Sequence, residues 1–386
     1  MHHHRHALFH IANQKKDLHL VQKSVMIRSM GVALLEMFQP LYLLSAGFSL
    51  SHLMFFYAAQ YLLSALLAPF VGLISARLGF AKACLLGLSS YSVYLICFAL
   101  APHTGFATLV PAAILWAIYE SVYWPNYHFN FCSLTTCSSR GSQTGIMNLL
   151  MTITRFAAPL IAGLIINGFG FIALFAVALV TIVLSSYPFF LEQTAKPLAS
   201  EPPLTVIKEL LSGMHKLQQV VFFSLGALFF IMEFVWPIVV FQYFPDFGEL
   251  GIFVTLSAVL GAVTIAVVTR LIDRFSKSKL LTAGTLIYSF GWLMRAFIAG
   301  KVSYIAADMV SRVGENFAMT PAYALTYELS ERQDKTSFQL QRILMLSVGY
   351  VVPALIIALF PGTMLRGMLL TAPVFCLLLL LINRIK

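Results

Sequence analysis

Glu36, Glu120, Glu233 and Glu315 each fall near the middle of a long apolar segment. A charged side chain at the centre of a bilayer costs roughly 2.5–3.5 kcal/mol on insertion scales, so such a residue marks a functional site by default. Glu36 and Glu233 each precede a proline, Pro40 and Pro237, by four residues. Proline has no N–H, so the carbonyl of each glutamate loses its helical donor. An acid beside an unpaired acceptor suits a proton, a cation or an amine. The alternative is that the prolines only bend the helices while the glutamates bond to neighbouring ones. At helical spacing Trp116, Glu120, Tyr123 and Tyr127 share a face, with Tyr119 beside them. A carboxylate framed by rings and hydroxyls can hold a cationic or ring-bearing solute. Packing, or anchoring of Trp124 and Tyr127 at the membrane interface, is the competing use.

Two cations also lie deep in apolar segments, Arg155 and Arg312. Arg312 has Asp308 four residues before it and Glu315 three after, so an intrahelical cluster is expected. Arg155 has no acid on its own segment, and Glu120 is its expected partner. That pairing would leave Glu36 and Glu233 as the proton carriers. Gln60, Asn126, Asn148 and Gln242 are further polar candidates, for ligand contact or for bonds between helices.

The elements that position these residues follow from composition. The chain has 386 residues, 59% hydrophobic and 10% charged, against roughly 25% charged in soluble domains. Apolar stretches long enough to cross a bilayer recur along it. Twelve spans are expected, at about 24–47, 51–75, 82–102, 106–131, 143–168, 170–190, 218–243, 249–271, 278–300, 302–327, 338–360 and 363–384. The expected architecture is an all-α polytopic membrane protein. A tail (1–23) precedes a six-helix bundle (24–190), a linker (191–217) and a second bundle (218–386). In the linker, Leu204, Ile207, Leu210, Leu211 and Met214 share one face, as in a short interfacial helix.

About 20 of the 25 Lys and Arg fall on the side shared by both termini, Arg28 and Arg342 among them. The other side holds Arg295, Lys301 and Arg366. This bias places both termini in the cytoplasm and explains the net charge of +10 without nucleic acid. The five cysteines show no CxxC spacing and read as packing residues, not as a disulfide or metal set. The His-rich start, a native polar tail or an added stretch, is set aside. The first apolar segment is a full span, so no cleavable signal is expected.

The two halves also repeat. Glu36-Met-Phe-Gln-Pro40 recurs as Glu233-Phe-Val-Trp-Pro237, and Arg77, Gly87 and Tyr91 as Arg274, Gly284 and Tyr288, all at an offset of 197. Pro125 and Tyr127 recur as Pro321 and Tyr323 at 196, and Glu120 as Glu315 at 195. Six spans of like orientation per half make a parallel repeat, one of the transporter symmetries.

The loop Gly72-Leu-Ile-Ser-Ala-Arg77-Leu-Gly79-Phe-Ala-Lys82 and its counterpart Thr269-Arg-Leu-Ile-Asp273-Arg274-Phe-Ser-Lys277 resemble the Gly-x-x-x-Asp-Arg-x-Gly-Arg/Lys signature of the major facilitator superfamily. With the 6+6 topology, the resemblance covers essentially the whole chain. Ala76 stands at the acidic position of the first copy, so the gate-latching role that the resemblance implies passes to Asp273. Asp273 is expected to pair with Arg140 or the start of the fifth helix, and Arg77 with Glu331 or Asp334; solvated loop charges are the alternative. Thr154–Gly163 resembles a degraded antiporter element in which Pro159 and Gly163 match, and its small residues permit close packing. The family fold implies a central cavity ringed by helices one, four, seven and ten, which carry the four glutamates.

The resulting reading is a secondary transporter working by alternating access, coupled to protons through Glu36 and Glu233. It would be monomeric, without a cofactor, in a prokaryotic inner membrane. The excess of acids favours a cationic or zwitterionic small organic solute. No metal cluster, nucleophile–base pair or phosphate loop supports an enzyme. A non-transporting receptor or an uncoupled facilitator on the same scaffold are the alternatives.

Overall fold

Prolines and glycines set where the helices break. The computed structural model describes residues 2–134, 151, 157–191, 202–212, 216–272, 275–298, 300–333 and 335–385, and no strand occurs among them. Helix α1 (His2–Glu36) stops at its glutamate, and α2 (Gln39–Ser45) restarts with Pro40 in its first turn, where the missing N–H does no harm. Pro69 similarly marks a 3₁₀ turn, Ala68–Phe70, between α3 (Leu50–Leu67) and α4 (Val71–Leu78). Next come α5 (Phe80–Thr104), α6 (Phe106–Leu134) and α7 (Ala158–Ser185). Gly170, at φ 81°, divides α7 close to the expected boundary between the fifth and sixth spans.

After α8 (Pro203–Ser212), the chain enters α9 (Lys216–Phe230). A π turn, Ile231–Val235, then leads into α10 (Trp236–Phe241), with Pro237 in its first turn. The remaining helices are α11 (Phe247–Ile272), α12 (Lys277–Ala296), α13 (Lys301–Glu331), α14 (Lys335–Leu359) and α15 (Pro361–Leu378). Among the described residues, eight helical runs are long and apolar enough to cross a membrane. Helix α13 falls in the place of the tenth expected span and carries Asp308, Arg312 and Glu315 within it. Leu66, Val110, Leu164, Val180, Val263 and Phe290 are exposed. Such a belt is a liability in water and the ordinary contact surface in lipid.

The repeat has a packing meaning. A Cβ on Gly87 would sit 2.9 Å from Cβ of Tyr123, and one on Gly284 would sit 2.2 Å from the carbonyl carbon of Phe317. The same glycine therefore brings α5 onto α6 in the first half and α12 onto α13 in the second. Tyr91 and Tyr288 are both fully buried. On α8, Leu204 and Ile207 are exposed, as apolar residues of an interfacial helix are; the side chains of Leu210 and Leu211, and Met214, lie outside the described residues.

The halves meet closely at the end of the molecule away from the start of α1. A Cβ on Gly163 would come within 2.3 Å of the Phe247 carbonyl oxygen, and one on Gly251 within 2.5 Å of the Pro159 oxygen. The Leu160 N–H donates to Thr255 Oγ1 at 3.1 Å, and Asn167 donates to Asp246 at 3.2 Å. Asp246 also caps α11 by accepting from the Glu249 N–H at 2.8 Å, a bond that holds its carboxyl below the usual range. At the opposite, near end, Tyr327 on α13 and Nδ1 of His128 on α6 lie 3.2 Å apart, and Val71 packs on Leu340.

Candidate functional site

Between the halves lies a cavity of about 460 Å³. Glu36, Glu120, Glu233 and Glu315 all line it. They arrive from α1, α6, the π turn and α13. The lining also draws on α3 and α5 through Tyr61 and Tyr91, and on α14 through Arg342 and Tyr350. The ring is therefore wider than four helices.

The break at Glu36 and the π turn at Glu233 realise the same proline signal by different backbone routes. Turns of π type inside α-helices recur at functional sites because they free backbone groups and re-aim side chains. Glu233 accepts a hydrogen bond from the Tyr350 hydroxyl at 3.0 Å. Tyr350 in turn stacks on Tyr61 of the other half, with ring centroids 3.8 Å apart. A carboxylate in the cavity is thereby tied to a contact across the two halves. Glu120 lines the cavity together with Trp116, Tyr119 and Trp124. Glu315 pairs with Arg312 at 3.5 Å, and Arg312 also lies 3.7 Å from Asp308.

Other candidates fall elsewhere. Trp116 and Tyr119 line the cavity beside Glu120, whereas Tyr123, Gln60 and Asn126 are buried behind its surface, and Arg312 is not one of the lining residues. Tyr123 is fully buried and stacks on Tyr119 and Tyr127. Asn126 donates to Ser75 Oγ at 2.7 Å, so it ties α6 to α4. Gln242 accepts from Arg366 at 3.4 Å on an exposed surface. Arg77 is exposed. Arg140, Arg155, Asp273, Arg274, Asp334 and Asn148, and the side chain of Glu331, lie outside the described residues, as do the pairings expected of them.

Three arginines counted as loop charges are buried instead. Arg28 is 4% exposed and Arg342 8%, and both line the cavity. Arg28 donates to the Tyr119 hydroxyl at 2.7 Å and lies 4.5 Å over the Trp124 ring. Arg295 is buried between Trp236 and Trp292 and bridges Asp308. The sequence contained a signal for all three: each falls inside an expected span, yet was counted by sidedness. A guanidinium there can be retained only by burial against rings or carboxylates.

The match to the Major Facilitator Superfamily model spans residues 24–249, more than half of the chain. The chain belongs to the Major Facilitator Superfamily. Solved structures of that architecture superpose along nearly its whole length. The crystal structure of the E. coli fucose:proton symporter FucP matches with a TM-score of 0.68 at 15% identity, covering 96% of this chain and 98% of that one. The human organic anion transporter MFSD10 (TETRAN) matches with a TM-score of 0.63 at 14% identity, covering 96% and 99%. A D-xylose–proton symporter gives 0.66 at 12%, covering 94% and 97%. At such identities the likeness is one of fold. The comparison with curated proteins returned no match. This superfamily member is thus an integral, multi-pass membrane protein of a transporter family.

Proposed function

We propose that this chain is a secondary active transporter that moves a small organic solute by alternating access, coupled to protons through Glu36 and Glu233. One observation carries the reading: four carboxylates from both halves line a single cavity at the surface where the halves meet. Alternating access moves one bundle against the other around a fixed central site. In this reading the bundles are 24–190 and 218–386, and 191–217 links them. Protonation of Glu233 removes an acceptor charge from Tyr350, and Tyr350 is one face of the stack with Tyr61. Loading a proton therefore changes a contact that must part when the halves rock. Glu36, at the end of α1, is its repeat partner. Two of the structural neighbours are named as proton symporters, which fits this reading.

Both termini face the cytoplasm of a prokaryotic inner membrane, and the protein acts as a monomer. The basic-residue bias supports that orientation even with Arg28, Arg295 and Arg342 removed from the tally, since only Lys301 and Arg366 remain opposite the termini.

The test is uptake into proteoliposomes with and without an inward proton gradient, screened over radiolabelled aromatic acids, amines, amino acids and sugars. Gradient-driven uptake is expected in the wild type. Glu36→Gln and Glu233→Gln should lose the stimulation by at least about tenfold while retaining solute counterflow. Counterflow with no response to the gradient indicates an uncoupled facilitator. Binding without counterflow indicates a receptor.

A further inference from the structure

Among the described residues, two guanidiniums line the cavity without a carboxylate of their own. Arg295 and Arg312 have Asp308 and Glu315 as partners. Among the described residues, no aspartate or glutamate oxygen lies within 4.0 Å of Arg28 or Arg342. Arg28 is held by the Tyr119 hydroxyl and the Trp124 and Tyr123 rings, and Arg342 lies 5.9 Å over the Tyr323 ring. The Nε atoms of both are buried with no hydrogen-bond partner.

These two arginines come from opposite halves, on α1 and α14: Arg28 lies over Trp124, Trp124 stacks on His128, and His128 meets Tyr327, one turn after the Tyr323 ring over which Arg342 lies. They therefore converge on one end of the cavity. Arg28 stands eight residues before Glu36, and Arg342 eight before Tyr350, the partner of Glu233. Eight residues of helix span about 12 Å, so Arg28 sits roughly 12 Å along α1 from Glu36, and Arg342 roughly 12 Å along α14 from the tyrosine that bonds Glu233.

Desolvating a guanidinium costs several kcal/mol unless an anion compensates it. Its rigid fork of donors matches a carboxylate in two parallel hydrogen bonds. Around the pair, the cavity wall is aromatic, with Trp124, Tyr127, Phe131 and Tyr323.

We propose that Arg28 and Arg342 form an anion subsite that takes the carboxylate of a small solute with an aromatic body, one guanidinium closing on it from each half. The identity of the solute rests on the transport reading above; the subsite itself is a binding claim. It also changes the weight of the simple charge count. Although the lining is acidic in total, the two cations without an ion-pair partner among the described residues are gathered at one end, and a purely cationic solute leaves them unmatched.

The experiment is thermal unfolding of the purified full-length protein with benzoate, 3-phenylpropionate and indole-3-acetate, each set against its uncharged primary amide and against phenethylamine. A carboxylate is expected to raise the unfolding temperature, with its amide giving little or no shift. Arg28→Gln and Arg342→Gln should each weaken that carboxylate by about 10- to 100-fold. Arg28→Lys and Arg342→Lys, which keep the charge and lose the fork, should fall between, and their ligand-free unfolding temperatures report whether the fold is intact. The proposal is overturned if no carboxylate stabilises the protein, if amides match their acids, or if the glutamine variants bind as well as the wild type. Proteoliposome uptake separates the two readings. A carboxylate that binds through the arginines but is never taken up removes transport and leaves the subsite. Proton-driven uptake of an amine or sugar that no carboxylate inhibits removes the subsite and leaves transport.

Discussion

The α12–α13 cluster of the second half and Arg28 on α1 of the first bury their charges in different ways. In the second half, Arg295, Asp308, Arg312 and Glu315 form a ladder of alternating sign along α12 and α13. In the first half, Arg28 is held by rings and a tyrosine hydroxyl, with no acid within ion-pair distance among the described residues. The ladder pairs its charges and serves the fold, although Nε of Arg295 and Arg312 and one Asp308 oxygen are buried without a hydrogen bond. A guanidinium held by π faces and a single hydroxyl keeps its other donors for something else. The proline signal diverges as well, ending a helix at Glu36 and making a π turn around Glu233. Symmetry of sequence thus places the acids alike while leaving each half free to choose how they are supported.

The sharpest way to break this comparison is to remove one charge from each half. Asp308→Asn should be the costliest change, about 3–5 kcal/mol, because it leaves Arg295 buried without its partner and weakens the hold on Arg312. Arg28→Met should cost only about 1–2 kcal/mol, since no carboxylate among the described residues lies within ion-pair distance of it. Thermal unfolding or denaturant titration in detergent reads both. Equal losses would mean that Arg28 is as structural as the ladder.

The contact between the halves offers a milder test. Gly163→Val places atoms against the Phe247 carbonyl and should cost about 1–3 kcal/mol. Gly168→Val, with nothing within 4 Å of its Cβ, should change stability little. If parting α7 from α11 opens that end, a cysteine at the cavity residue Gln39 should label faster in Gly163→Val.

The smallest effect belongs to Asp246→Ala, which loses the cap of α11 and the bond to Asn167. Its lowered carboxyl contributes stability that is complete above the ordinary aspartate range and is lost as pH falls through the lowered value. The wild type and this variant should therefore differ slightly in unfolding temperature at pH 7 and converge below about pH 4.

The residues differ in how much of this could be read without coordinates. Glu36, Glu120, Glu233 and Glu315 stand out because an acid in an apolar run has no cheap explanation, and all four meet in one cavity. Arg28 and Arg342 were legible as charges within spans but not as cavity residues, because counting sidedness treats every basic residue near a span end as a loop charge. Gln60, Asn126 and Tyr123 were plausible by type and lie behind the lining, since helical spacing defines a face without saying which neighbour covers it. Asn126 illustrates the point: it spends its donors on Ser75 and the Val122 carbonyl.

Segment lengths, apolarity and the 195–197-residue repeat are local properties, and they were sufficient for a twelve-span expectation, an acidic centre and the family resemblance. The energetics of burying backbone in lipid leave few other arrangements for such a chain. Which charges find partners is a different kind of fact. Tyr350 reaching Glu233 from 117 residues away, Arg28 meeting Tyr119 across 91, and Gly163 meeting the Phe247 backbone depend on helix rotation and on the approach of one half to the other. Those are set by side-chain packing between segments distant in sequence, and no periodicity within a segment encodes them.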